Sequence, residues 1–284
     1  MYCYVIGGVG FKFETDNELL ESPNYGLFRV NEAGFDSLQC KHIYTFSDKC
    51  PEIEGNAIFN GGSFEVYETD DGYLKVSSRF DEFDYKCILS EKKGRSGGEI
   101  SFTDGGYRKL KTTAELFRII DMMSALLYYN GLMLHASFIE HNGKAILFSA
   151  DPGVGKSTQA DLWKKYKNAE ILNGDRAILR LTDSGWRVYG NPACGSSDIC
   201  VNRDVSLGAI VFLKQSPVNH VNELPAFQKF MRLSSQISCG VRKTDDTTNL
   251  LKLTESLSKD VRIVELECTA DVRAVDILSA EIGG

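Results

Sequence analysis

The chain has 284 residues, 43% of them hydrophobic and 25% charged, a balance that excludes disorder and allows one large domain or two modest ones. Its net charge of −7, with the basic residues scattered, argues against a nucleic-acid or anionic-membrane surface, which clustered Lys and Arg would mark. No apolar run reaches the roughly 18 residues that span a bilayer, so an integral membrane protein is not expected.

The first hundred residues read as short β-rich runs at 4–13, 63–67, 73–80, 85–89 and 100–102. Gly- and Asp-containing turns separate them, among them Asp70-Asp71-Gly72 and the stretch 94–98. An antiparallel β module over 1–110 is expected, with His42 as a structural residue. The eight cysteines contain no CxxC or Cys/His cluster, so they are expected to be small core residues and not zinc ligands. The start at Met1 without a basic leader or cleavage signal places the expected compartment in a reducing cytoplasm.

A second domain is expected over 111–284, where the period changes. Thr112 and Glu115 have capping-box spacing, and Leu116, Ile119, Ile120, Met123, Leu126 and Leu127 recur at helical intervals, predicting one helix over 113–129. Strands at 133–139 and 145–149 flank an Asn142-Gly143 turn. A helix over 156–167, a strand at 170–172, and a hairpin of 178–181 with 187–189 follow. Then come a strand at 209–213, a helix over 225–238, a strand at 261–266 and a terminal helix over 271–282. The fold class expected is α+β or α/β, with a mixed sheet in the second domain because hairpins stand where crossover helices would otherwise be. His141 and His220 fall in apparent turns.

Between the strand at 145–149 and the helix at 156 lies Ala150-Asp151-Pro152-Gly153-Val154-Gly155-Lys156-Ser157-Thr158. This is Walker A spacing, with alanine in place of the first glycine. Gly153 and Gly155 let successive N–H groups face one anion at the positive end of a helix. Residues Asp151 to Thr158 are the expected nucleotide site: Lys156 for the β- and γ-phosphates and Ser157 for Mg²⁺. Asp175, after a short apolar strand, is the candidate second metal ligand. The cofactors expected are ATP and Mg²⁺.

His135-Ala136-Ser137, the Asn142-Gly143 hairpin, Ala150 to Ser157 and Asn173-Gly174-Asp175-Arg176 together resemble the catalytic core of HPr kinase/phosphorylase. That family has a nucleotide fold akin to phosphoenolpyruvate carboxykinase. The stretches 185–195 and 206–213 are similar to its divergent, HPr-kinase-related members, some associated with peptide modification. The resemblance implies loop roles for Lys156 and Ser157, metal binding by Asp175, and a position for His135 near the transferring phosphate. It also marks two departures. Gly174 stands at the family's first aspartate, its general base, and the downstream Glu-x-Arg-Gly segment is missing.

The function expected is an ATP- and Mg-dependent serine kinase, with His135, Lys156 and Asp175 as catalytic residues. Its acceptor would be a seryl peptide, a protein or a small metabolite. His135 is the best remaining base. Arg176 and Arg203 are either phosphate or carboxylate clamps or ordinary structural or surface arginines. A catalytically degenerate ATP-binding scaffold and a carboxykinase-like enzyme on a small carboxylic acid are the alternatives, and a homo-oligomer is possible.

Overall fold

In the computed structural model, which describes residues 1–77, 86–94, 96–103, 109–238 and 244–283, the run 4–13 is a hairpin. Its strands, β1 (Tyr2–Ile6) and β2 (Val9–Glu14), are joined at Gly7 and Gly8, whose φ angles of 62° and 70° are the left-handed pair such a turn requires. Two short helices follow, α1 (Pro23–Gly26) and α2 (Glu32–Asp36), then β3 (Lys41–Ser47), β4 (Phe59–Asn60), β5 (Phe64–Glu68), β6 (Gly72–Ser77), β7 (Cys87–Lys92) and β8 (Gly97–Phe102). The ends of two sequence runs, residues 78–80 and Tyr85, lie outside the described residues, as does Arg95 in the 94–98 turn.

These eight strands form one sheet in the order β1-β2-β3-β8-β7-β6-β5-β4. It is mixed and not antiparallel as the sequence suggests, because β3 enters between β2 and β8 parallel to both. The connection through α1 and α2 is long enough to return the chain to the same edge, which a tight turn is not. His42 on β3 is 3% exposed, and its Nε2 meets the Ala125 carbonyl at 3.0 Å, a structural role.

The predicted helix over 113–129 is two helices, α3 (Thr113–Ile119) and α4 (Met122–Tyr128). Glu115 carries out its capping role, its carboxylate accepting from the Thr112 N–H at 3.0 Å. The break comes at Asp121, whose side chain accepts from the Ser124 N–H and so starts a second helix where apolar periodicity alone predicts continuity. Residues 1–129 with 240–247 make one compact unit, and 130–239 with 248–284 a second.

The elements after residue 129 are β9 (Gly131–His141), β10 (Lys144–Ser149), α5 (Lys156–Lys167), β11 (Glu170–Asn173), β12 (Arg176–Thr182), β13 (Gly185–Tyr189), β14 (Asp204–Gln215), β15 (His220–Glu223), α6 (Ala226–Gln236), α7 (Thr244–Asp260), β16 (Arg262–Cys268) and α8 (Val272–Ile282); all but the first residues of α7 belong to the second unit. Asn142 and Gly143, at φ 51° and 74°, close the β9–β10 hairpin. His220 opens β15, where the sequence suggests a turn, and sits opposite Glu267.

Two long strands organise this sheet. The first half of β9 pairs with β12 and its second half with β10 and β11. Strand β14 runs parallel to both β10 and β16, so all three end on one edge, where open α/β sheets bind ligands. Ala160 and Trp163 of α5 join Phe148, Val211, Val264 and Leu278 in one buried cluster, which seats the helix on the sheet directly after β10. Among the described residues no helix is long and apolar enough to cross a membrane.

Candidate active site

Strand β10 is buried from Ala145 to Ser149, and the chain must turn sharply to enter α5. Gly153 and Gly155 make that turn with φ angles of 81° and 125°, values that an L side chain rarely adopts. Lys156 opens the helix, and its Nζ folds back to donate to the Ala150 carbonyl at 2.9 Å. Burial pushes its ammonium below the ordinary lysine range, while the Asp175 and Asp151 carboxylates pull it back up. Asp151 is held in turn by Gln236 of α6, whose Nε2 donates to Oδ1 at 3.0 Å. Ser157 and Thr158 are exposed on the first turn of α5.

Asp175 is positioned by a residue that sequence reasoning missed. Asn173 is fully buried at the end of β11, and its Oδ1 accepts from the N–H groups of Asp175 and Arg176, each at 2.9 Å. Its Nδ2 donates to the Asn191 carbonyl at 2.8 Å. The Asn-Gly pair between two strands is a turn signal, although nothing in it reveals the far partner at 191. Ser137 Oγ donates to the Gly174 carbonyl at 3.1 Å, and the Ala136 N–H to that of Asp175 at 2.9 Å. The turn is therefore pinned to β9 at the level of His135.

The result is a pair of facing side chains. His135 Nε2 lies 3.3 Å from Asp175 Oδ1, with both side chains about one-third exposed at 28% and 34%. Arg176 Nε stands 3.5 Å from Asp175 Oδ2. With Nε2 donating to the carboxylate, the neutral imidazole keeps its lone pair on Nδ1, the atom that can accept a proton.

The turn Gly195–Ser197 lies against Gly174 and Asp175. A Cβ on Gly195 would stand 2.9 Å from the Asp175 Cβ and Cγ, and a Cβ on Gly174 would stand 2.2 Å from Ser197 Oγ. The space beside the backbone at 174 is thus already filled by Ser197. A carboxylate there would displace the turn.

Arg203 is not part of this assembly. Its guanidinium binds Glu140 at 2.5 Å and Glu170 at 2.7 Å. Those glutamates pair across β9 and β11, about 16 Å along the strand from His135 at a rise near 3.3 Å per residue. Of the two roles open to Arg203, clamp or surface arginine, these ion pairs fit the second. Arg176 stays beside Asp175.

A cavity of about 560 Å³ adjoins the loop. The loop and the first turns of α5 bound it on one side, and the segments after β14 and β16 on the other. Burial pushes the Cys268 thiol there above the usual cysteine range, with the Gln159 hydrogen bond pulling the other way. Hydrophobic patterning could not reveal this cavity, because its walls come from three strand ends distant in sequence.

No family model and no curated protein matches this chain. Among solved structures, the Hpr(Ser) kinase/phosphatase from Coxiella burnetii aligns with a TM-score of 0.31 and 8% identity, covering 54% of this chain and 99% of that one. Likeness at that level leaves the chemistry to be argued from the site itself.

Proposed function

We propose that the second unit binds Mg·ATP on the loop from Ala150 to Thr158 and transfers the γ-phosphoryl group to a hydroxyl, most simply a seryl hydroxyl of a peptide, protein or small metabolite. The observation that carries the reading is the convergence of three chemistries. A lysine opens a helix after a glycine loop, Ser149 just before that loop donates to the His135 carbonyl at 2.8 Å, and a His135 nitrogen is 3.3 Å from the Asp175 carboxylate.

Lys156 neutralises the β- and γ-phosphates, while the loop's N–H groups and the positive end of α5 hold the anion. The donors for a metal, Ser157 hydroxyl and Asp175 carboxylate, are both hard oxygens. They fit a magnesium ion that keeps places for phosphate and water, and among the described residues no larger His/Cys/Asp/Glu cluster builds a dedicated cage. Bound there, Mg²⁺ would offset the charge on the phosphate oxygens. The acceptor oxygen attacks the γ-phosphorus, the bond to the β-phosphate oxygen breaks, and the hydroxyl proton passes to His135 Nδ1. Arg176 orients Asp175 from the other side.

A second reading, ATP binding without turnover, is favoured by one observation: Ser197 leaves no room for a carboxylate at 174. Incubation with γ-labelled ATP and a mixture of seryl peptides separates the two. Kinase action predicts label in peptide and its loss in His135→Ala with ATP affinity retained. Tight ATP binding with no label in peptide, protein or free serine supports the second.

The free thiols of Cys3, Cys40, Cys50, Cys87, Cys194, Cys200 and Cys268 suit the reducing cytoplasm proposed for the protein.

A further inference from the structure

The cavity beside the loop contains one buried polar group that phosphate chemistry leaves unused. Gln159 lies on α5, about 4.5 Å along the helix axis from Lys156, and is only 2% exposed. Its Nε2 donates to Cys268 Sγ at 3.3 Å, a weak partner for an amide. Its Oε1 is buried with no hydrogen-bond partner among the described residues. Tyr44, Trp163 and Trp186 also carry partnerless buried atoms, but of these residues only Gln159 borders the cavity. A buried acceptor without a donor is costly, and a ligand that brings an N–H removes the cost.

The cavity's size is that of a small-molecule site, and Leu213 and Pro217 add apolar surface to its lining. With Nε2 turned to the sulfur, the unpaired atom of this cavity-lining side chain is the acceptor Oε1. Adenine carries an N–H donor at C6, whereas guanine and hypoxanthine carry a carbonyl oxygen there.

We propose that Gln159 is the base-reading residue of this site: its Oε1 accepts a hydrogen bond from the exocyclic amino group of a 6-aminopurine seated in the cavity, which selects ATP over 6-oxopurine triphosphates. The proposal rests on the reading that a nucleoside triphosphate occupies the loop. A 6-oxopurine sets oxygen against oxygen and leaves the amide acceptor unpaired, a defect against which polar sites discriminate strongly.

Titration of the full chain with Mg·ATP, Mg·ITP and magnesium inorganic triphosphate tests this, because ATP and ITP differ only on the 6-edge of the base, an amino group beside a bare N1 against a carbonyl beside an N1–H, and triphosphate has no base. The wild type is expected to bind ATP about tenfold or more tightly than ITP. Gln159→Leu should bring ATP down to the ITP level and leave triphosphate affinity unchanged. Equal affinity of the wild type for ATP and ITP overturns the proposal and spares the loop reading, as does a Gln159→Leu variant that keeps the full ATP preference. Equal losses of ATP and triphosphate in that variant overturn it too, by assigning Gln159 a structural role. If neither ATP nor triphosphate binds the wild type, the loop reading fails and the proposal falls with it.

Discussion

Replacing Gly174 by alanine tests why the turn before Asp175 carries no side chain. The backbone there does not demand glycine, since Gly174 is not among the positive-φ residues; the obstacle is Ser197. An added Cβ would stand 2.2 Å from Ser197 Oγ and 2.5 Å from its Cβ, against about 3.5 Å for a relaxed contact. Overpacking of this kind costs about 1–3 kcal/mol. A loss of about 2 kcal/mol lowers the melting temperature of a unit this size by about 4–8 °C.

Ser197 cannot retreat freely, because its hydroxyl donates to the Cys194 carbonyl at 2.7 Å and accepts from the Ile199 N–H at 3.3 Å. Ser197→Gly removes both clashing atoms, whereas Ser197→Ala leaves the Cβ. In denaturant melts Ser197→Gly should therefore rescue Gly174→Ala with a coupling of about 1–2 kcal/mol, and Ser197→Ala should rescue it less. A Gly174→Ala variant as stable as wild type, or strict additivity with Ser197→Gly, refutes the reasoning.

Asn173→Ala strips the N–H groups of Asp175 and Arg176 of their partner and leaves the Asn191 carbonyl only the Cys200 thiol, so it should cost about 2 kcal/mol or more at about 1–3 kcal/mol per unpaired group. Denaturant melts check this, and a loss under about 1 kcal/mol contradicts the positioning role. The folded-state pKa of Lys156 lies below its unfolded value, so its burial is unfavourable at neutral pH and that handicap fades as pH rises through the lowered pKa. The wild type should gain stability relative to Lys156→Met across that alkaline window; a constant gap in paired melts contradicts the burial argument.

Much of the second unit is legible in its sequence because local signals coincide there. Asn142-Gly143 dictates a hairpin, apolar β10 precedes two glycines, and α5 follows. Legibility fails where a residue's partner is remote. The break at Asp121 depends on a side chain preferring a cap to helix continuation, and β3 runs parallel because of a crossover that no local pattern encodes. Helix α7 is not legible in the sequence because Thr, Asp, Asn and Ser dilute it, although Leu253 and Leu257 are buried at helical spacing. At the site, Lys156, His135 and Asp175 stand out by residue type, whereas Asn173, Ser197 and Gln159 matter through contacts with Asn191, Gly174 and Cys268. The role of Arg203 is illegible for the same reason, since Glu140 and Glu170 claim it.

The most direct test of the account is calorimetric titration of Mg·ATP into the wild-type chain and into Lys156→Ala. The account predicts one nucleotide per chain and a loss of about tenfold to a hundredfold in affinity on removing a charged hydrogen-bonding partner. No binding to the wild type, or equal affinity in the variant, would contradict it.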